Sequence, residues 1–178
     1  MKQGVVLPIA LLVAGCATMN APAPVSATPP REAPACACPA DDAAKIALVK
    51  RFYAAMNARS PEMLAEVLAP DWDDIPKPPG QGAGLAGMQA AILGYGSVFK
   101  DFHVINDEFV VSGDKVVVRS TNSGVHVGTF AGIAATGKSF TMTSIDIHTL
   151  RDGKIVETRH VEDWLGTLVQ LGTLPLAK

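Results

Sequence analysis

Cysteine is scarce and sits where it can do little for a fold. The chain has three, Cys16, Cys36 and Cys38, so from residue 41 onward there is no thiol for a disulfide framework or a cysteine nucleophile. Cys36 and Cys38 are one residue apart, a spacing that strains a bridge between them. Two thiolates also fall short of a tetrahedral zinc site. No G-x-S-x-G occurs, which removes the usual signature of a serine hydrolase. Lysine and arginine form no cluster and the formal net charge is −2, so nucleic acid is not an expected partner. No H-E-x-x-H or H-x-H spacing is present. His126, His148, His160 and Asp146 are the right residue types for zinc or iron, but nothing in their spacing supports a site, and neither metal nor other cofactor is expected. No internal repeat is visible. The apolar run Val5 to Val13 is too short to span a bilayer, which takes about 20 residues.

That run reads instead as the core of a signal peptide, with Lys2 before it and small residues behind it. Val13-Ala14-Gly15-Cys16 resembles a bacterial lipobox, which implies lipidation of Cys16, and Ala17 after it implies outer-membrane sorting. The expected location is the cell envelope, lipid-anchored at the periplasmic face, with the membrane as a partner. Residues 16–40 carry Pro22, Pro24, Pro29, Pro30, Pro34 and Pro39 among Ala, Ser and Thr. This is the composition of a tether, partly extended as polyproline II. The division is therefore 1–15 signal peptide, 16–40 tether and 41–178 folded domain, long enough for one core.

In the domain, Asp41 or Asp42 can cap a helix with the apolar stripe Ile46, Val49, Phe52, Tyr53 and Met56. Ser60-Pro61 opens a short helix carrying Leu64, Val67 and Leu68. Asp71 to Gly84 reads as a loop, with Asp73 and Asp74 as solvated charges, and 84–100 as a third helix. From Phe102 the period changes to two, predicting strands at 103–111, 114–121, 123–130, 139–150 and 154–163. Helices followed by antiparallel strands give an α+β fold.

The polar half of the last two strands stands out. Asp146 and His148 share one face of the first strand, and His160 and Glu162 share one face of the second. Whether the two sets meet depends on the loop. A two-residue Asp152-Gly153 turn pairs Arg151 with Lys154 and sends the sets to opposite faces. A three-residue Arg151-Asp152-Gly153 loop pairs Leu150 with Lys154 and makes Asp146 and His160 diagonal neighbours at roughly 7–8 Å. The three-residue loop is expected, because it leaves Ile145, Ile147, Ile155 and Val161 together on the other face.

F-Y-A-A-M-N (52–57), L-A-P-D-W (68–72), G-D-K-V-V-V-R (113–119) and G-V-H-V-G-T-F-A-G-I-A-A-T-G-K (124–138) are followed by S-I-D-I-H (144–148), D-G-K-I-V-E (152–157) and H-V-E-D-W-L-G (160–166). In this order and spacing, over about Ala43 to Pro175, they resemble the SnoaL-like polyketide cyclases, or ester cyclases, of the nuclear transport factor 2-like superfamily. The resemblance implies a cone-shaped α+β barrel, with about three N-terminal helices on a curved antiparallel sheet around a ligand cavity. It also implies a homodimer through the sheet. In that family an Asp on the last strand removes an acidic proton and starts an aldol closure, helped by a His on the neighbouring strand. Aligned through D-G-K-I-V-E, the base position falls on His160 and the helper on Asp146, the two residue types exchanged.

Asp146 and His160 are therefore the candidate catalytic pair. His126, His148, Trp72, Tyr53, Phe99 and Asp163 are candidate substrate-binding residues, Asp163 as a possible orienter of His160. The expected ligand is a hydrophobic, carbonyl-containing small molecule. A non-catalytic module binding a ligand or peptide at the cell envelope is the alternative.

Overall fold

Two carboxylates, Asp41 and Asp42, sit in the first turn of helix α1 (Pro39–Ala58), where they oppose the positive end of the helix dipole. Residues 39–78 and 80–174 are described by the structure, a computed structural model. The expected signal peptide, Cys16 and the tether up to residue 38, with Cys36 and Cys38, lie outside the described residues. The stripe of α1 is as the spacing predicts: Val49, Phe52 and Tyr53 are buried and Met56 packs against them. Ser60 caps α2 (Pro61–Ala65) by accepting the Met63 N–H at 3.2 Å, with Pro61 in the first turn.

The short helix stops before Val67 and Leu68, and the chain then departs from the sequence reading. In place of a loop it forms β1 (Leu68–Ile75), with Trp72 and Asp74 turned inward and Asp71 and Asp73 outward. Pro70 is tolerated because β1 lies at the edge of the sheet, where a missing N–H breaks no ladder. Helix α3 (Gly84–Val98) follows, burying Met88 and Ile92. The remaining strands are β2 (Phe99–Ser112), β3 (Lys115–His126), β4 (Ser139–Arg151) and β5 (Lys154–Glu162). The segments predicted at 114–121 and 123–130 are largely one strand, β3. A further helix, α4 (Trp164–Leu171), closes the described chain. Asp163 caps it by accepting the Gly166 N–H at 2.8 Å.

The sheet order is β1-β5-β4-β3-β2. β2 to β5 run antiparallel as predicted, but β1 joins β5 in parallel, so the sheet is mixed. It is curved yet unclosed, since β1 and β2 remain edges. The β2 edge is covered by one side chain of α1: the Asn57 amide accepts the Val104 N–H at 2.8 Å and donates to the Val104 carbonyl at 2.9 Å. Side-chain pairing of this kind satisfies edge groups that would otherwise invite another strand.

The buried face of the sheet changes character along its strands. On β3, Val116 and Val118 give way to Ser120 and Asn122, all buried. Val116 and Val118 join Val49, Phe52, Leu64, Val67, Leu68, Ile92 and Ile155 in one core. The polar end is left for the site.

Candidate active site

The β4–β5 turn has two residues, not three. Asp152 and Gly153 both have positive φ, 51° and 72°, the requirement of a type I′ turn, and Arg151 pairs with Lys154. Parity alone would now send Asp146 and His160 to opposite faces. A single extra residue reverses that. Leu150 pairs with Ile155 but Thr149 with Glu157, so Val156 is a β-bulge, which shifts everything beyond it by one position. His148 then stands opposite Thr158, Asp146 opposite His160, and Ser144 opposite Glu162. The candidate pair are direct cross-strand neighbours rather than diagonal ones. Ile155 precedes the bulge and lies in the core, whereas Ile145 and Val161 are exposed on the outer face.

The hydrogen-bonded partner of His160 is Asp74, not Asp146. Its Nε2 lies 3.2 Å from Asp74 Oδ1, and the Gln81 amide steadies the other oxygen at 2.8 Å. Asp74 is buried on β1 opposite Thr158, where the sequence reading had a solvated loop charge. Alternation in D-W-D-D-I (71–75) was the signal for it, masked by the neighbouring prolines. The bond to Asp74 holds the imidazole above its ordinary pKa against the opposing effect of burial, with Glu162 and Asp146 adding through space. His160 is therefore biased toward the imidazolium. Asp163, offered as its orienter, instead caps α4.

Asp146 is under the opposite influence. Burial raises its pKa from 3.8 to about 6, against a hydrogen bond from Tyr53 and the charge of His160. The Tyr53 hydroxyl donates to Asp146 Oδ2 at 3.0 Å and also lies 2.9 Å from His148 Nε2. His148 Nδ1 lies 2.9 Å from Thr158 Oγ1, which accepts the Trp72 indole N–H at 3.0 Å. His148 is fully buried, and desolvation, followed by the charge of His160, lowers its pKa to about 3. It is a neutral link, neither at the rim nor in solvent.

Asp146, His160, Asp74, Tyr53, Trp72 and Thr158 border a cavity of about 830 Å³, within the range of small-molecule sites, whereas His148, expected to bind substrate, lies behind its wall. The ionisable groups of the cavity include Asp74, Asp146, His160 and Glu162, and most of the remaining wall is apolar, including Met88, Phe99, Phe102, Phe130, Met142 and Trp164. Phe130 stacks on Trp164 at 4.6 Å, and the Trp164 indole N–H donates to Glu162 at 2.6 Å. Trp72, Tyr53 and Phe99 line the cavity as expected. His126 does not: it is buried beside Phe99 at 5.8 Å, with Nδ1 3.2 Å from Thr136. Tyr95 is a lining residue that the sequence reading passed over. Burial, with the carboxylates of Glu162 and Asp74, pushes its hydroxyl up to about 12, so it stays protonated. Among the described residues no group of three metal-ligating side chains converges.

Residues 47–171 match the family described as SnoaL-like polyketide cyclase. The chain belongs to the SnoaL-like polyketide cyclase family. It is similar to TsrD from Streptomyces laurentii, with 38% identity, a TM-score of 0.69, and coverage of 74% of this chain and 97% of that one. IdmH from Streptomyces antibioticus aligns at 29% identity and a TM-score of 0.63, over 72% of this chain and 98% of that one. Aklanonic acid methyl ester cyclase DnrD of Streptomyces peucetius is 36% identical over 73 residues, 41% of this chain. The match spans half of that curated relative's length. Membership agrees with the mixed α+β fold and the curved, open sheet. Within this SnoaL-like chain, the bulge at Val156 and the inward Asp74 are what define the polar part of the cavity wall.

Proposed function

We propose that this SnoaL-like protein is an acid–base enzyme closing a ring in a hydrophobic, carbonyl-rich small molecule, with Asp146 as base and His160 as acid. The observation that carries this reading is the unequal partnering of the two residues. Asp74 stabilises the charged form of His160, while burial leaves Asp146 a carboxylate of raised basicity, and a base poised near the working pH is the efficient one. Asp146 takes a proton from a carbon next to a substrate carbonyl. The imidazolium, held at Nε2–H by Asp74, stabilises the resulting enolate through Nδ1–H. The enolate carbon attacks a second carbonyl of the same molecule, a carbon–carbon bond forms, and the new alkoxide takes the His160 proton. Asp146 returns its proton through solvent. The net change is an isomerisation and needs no oxidant. The relative named as an aklanonic acid methyl ester cyclase supports ring closure in a methyl ester, and the aromatic wall suits a flat, apolar substrate.

Proton exchange tests the base directly. With 2-acetonaphthone as probe in D2O, NMR should show the protein accelerating deuterium uptake at the methyl group. Asp146→Asn should lose about 10²–10⁴-fold, the usual share of a general base. The rate should be bell-shaped in pH, rising near 6 with Asp146 and falling as the raised His160 loses its proton. A probe that binds without exchanging would instead favour the non-catalytic ligand-binding module.

We place the domain at the cell envelope on the strength of the V-A-G-C site and the proline-rich segment after it. Metabolic palmitate labelling should mark wild type and not Cys16→Ser, and an unlabelled wild type would sink the anchor. A homodimer through the sheet is supported by exposed Val110, Ile145 and Val161 on its outer face. Light scattering should give twice the chain mass for the domain and the single mass for Val161→Glu.

A further inference from the structure

Behind Asp146 runs a line of four side chains whose hydrogen-bond directions are set from both ends, an indole that donates and a carboxylate that accepts. The indole N–H of Trp72 can only donate, and it points at Thr158 Oγ1, 3.0 Å away. The single Thr158 hydroxyl proton is then free for His148 Nδ1 at 2.9 Å. A neutral imidazole that accepts at Nδ1 carries its proton on Nε2, where it meets the Tyr53 oxygen at 2.9 Å. The one proton of Tyr53 is left for Asp146 Oδ2 at 3.0 Å. Trp72, Thr158, His148 and Tyr53 are all buried, so water does not readily substitute for any link. The ring of Phe52 packs edge-on against His148 at 5.3 Å.

We propose that Trp72, Thr158, His148 and Tyr53 form a one-directional positioning network that keeps Asp146 Oδ2 occupied as an acceptor, so that the proton taken from substrate is received on Oδ1. The inference rests on Asp146 being the base of the proposed reaction, but the network itself is a property of the free protein. None of the four is thereby a catalytic residue: His148 lies behind the cavity wall, and Tyr53, Trp72 and Thr158, which line it, act in this network on Asp146 rather than on substrate. Reversal of the chain would need a proton on Asp146 Oδ2 and on His148 Nδ1. Thr158 would then have to accept from both Trp72 and His148, its own proton pointing elsewhere. The groups facing Asp146 are Tyr53 from α1, Ser144 from β4, and His160 and Glu162 from β5, while β3 presents Val118 opposite it. Two of these, Tyr53 and Ser144, reach Oδ2, leaving Oδ1 for the mobile proton.

The test needs no substrate, so it fails or succeeds separately from the proposed reaction. Nitrogen-15 NMR of the free protein at pH 7 should show His148 as the single tautomer protonated on Nε2. Thr158→Val, nearly the same shape without the hydroxyl, should give a mixture of tautomers, and Thr158→Ser should restore the single one. Carbon-13 titration of Asp146 should move to higher pH in Thr158→Val and at least as far in Tyr53→Phe, since each weakens the bond to Oδ2. A wild-type His148 protonated on Nδ1, or an Asp146 titration unchanged in both variants, overturns the proposal. If Thr158→Val does not fold, the wild-type tautomer and Tyr53→Phe still decide it.

Discussion

At the scale of the residue, a charge that must be ready to react is a charge the fold would rather not hold. The Asp146 carboxyl has a folded-state pKa of about 6 against an ordinary 3.8. Its protonated form is thus favoured by folding. That benefit is full below the ordinary value, declines as pH rises through 6, and is gone above it. Asp146→Asn keeps the shape and removes the buried charge. At pH 8 the variant should be more stable than wild type by about 1–3 kcal/mol, raising the midpoint of thermal unfolding by several degrees. At pH 4 the two should melt together. A variant no more stable than wild type at pH 8 would mean that burial is not what raises this carboxyl. Stability gained by removing a reactive group is a familiar trade against activity.

At the scale of the element, the β4–β5 hairpin shows what parity can and cannot reveal. That Asp146 and His148 share a face, and His160 and Glu162 another, was legible because side-chain period in a strand is two. That the two faces are the same was expected for the wrong reason, a three-residue loop. The turn is the tighter one that D-G favours, and Val156 makes up the difference. No residue type announces a bulge, so sequence pattern alone could not separate the two routes to one geometry. Removing Val156 should therefore straighten the strand yet leave Thr158, His160 and Glu162 facing inward, since the deleted residue is the unpaired one. The variant should keep its near-ultraviolet circular dichroism and its exchange activity. A deletion that loses both would show that the bulge does more than restore the register. β1 was missed because Pro70 and three aspartates within six residues look like a turn, when an edge strand tolerates them all.

At the scale of the whole molecule, the α+β class, the antiparallel run that follows the third helix and the family were all readable from the spacing of short motifs, but β1 among the helices and α4 after the strands were not. The openness of the sheet and its one parallel pair were not, because both depend on β1, whose partner lies far along the chain. Trp72 and Thr158, which bridge the two strands, are separated by 86 residues. β1 has no other partner in the sheet, and β5 is the last strand to be made. On a chain emerging from a ribosome, helices and β2 to β4 can pair while β1 still waits, its Trp72 and Asp74 without the neighbours that shelter them. Long-range closures of this kind are slow, since loop entropy is lost before contacts form. Asp74 can meet His160 only at that last closure. The chemistry is thus withheld from every incompletely made chain, and a nascent or truncated copy carries half of a site.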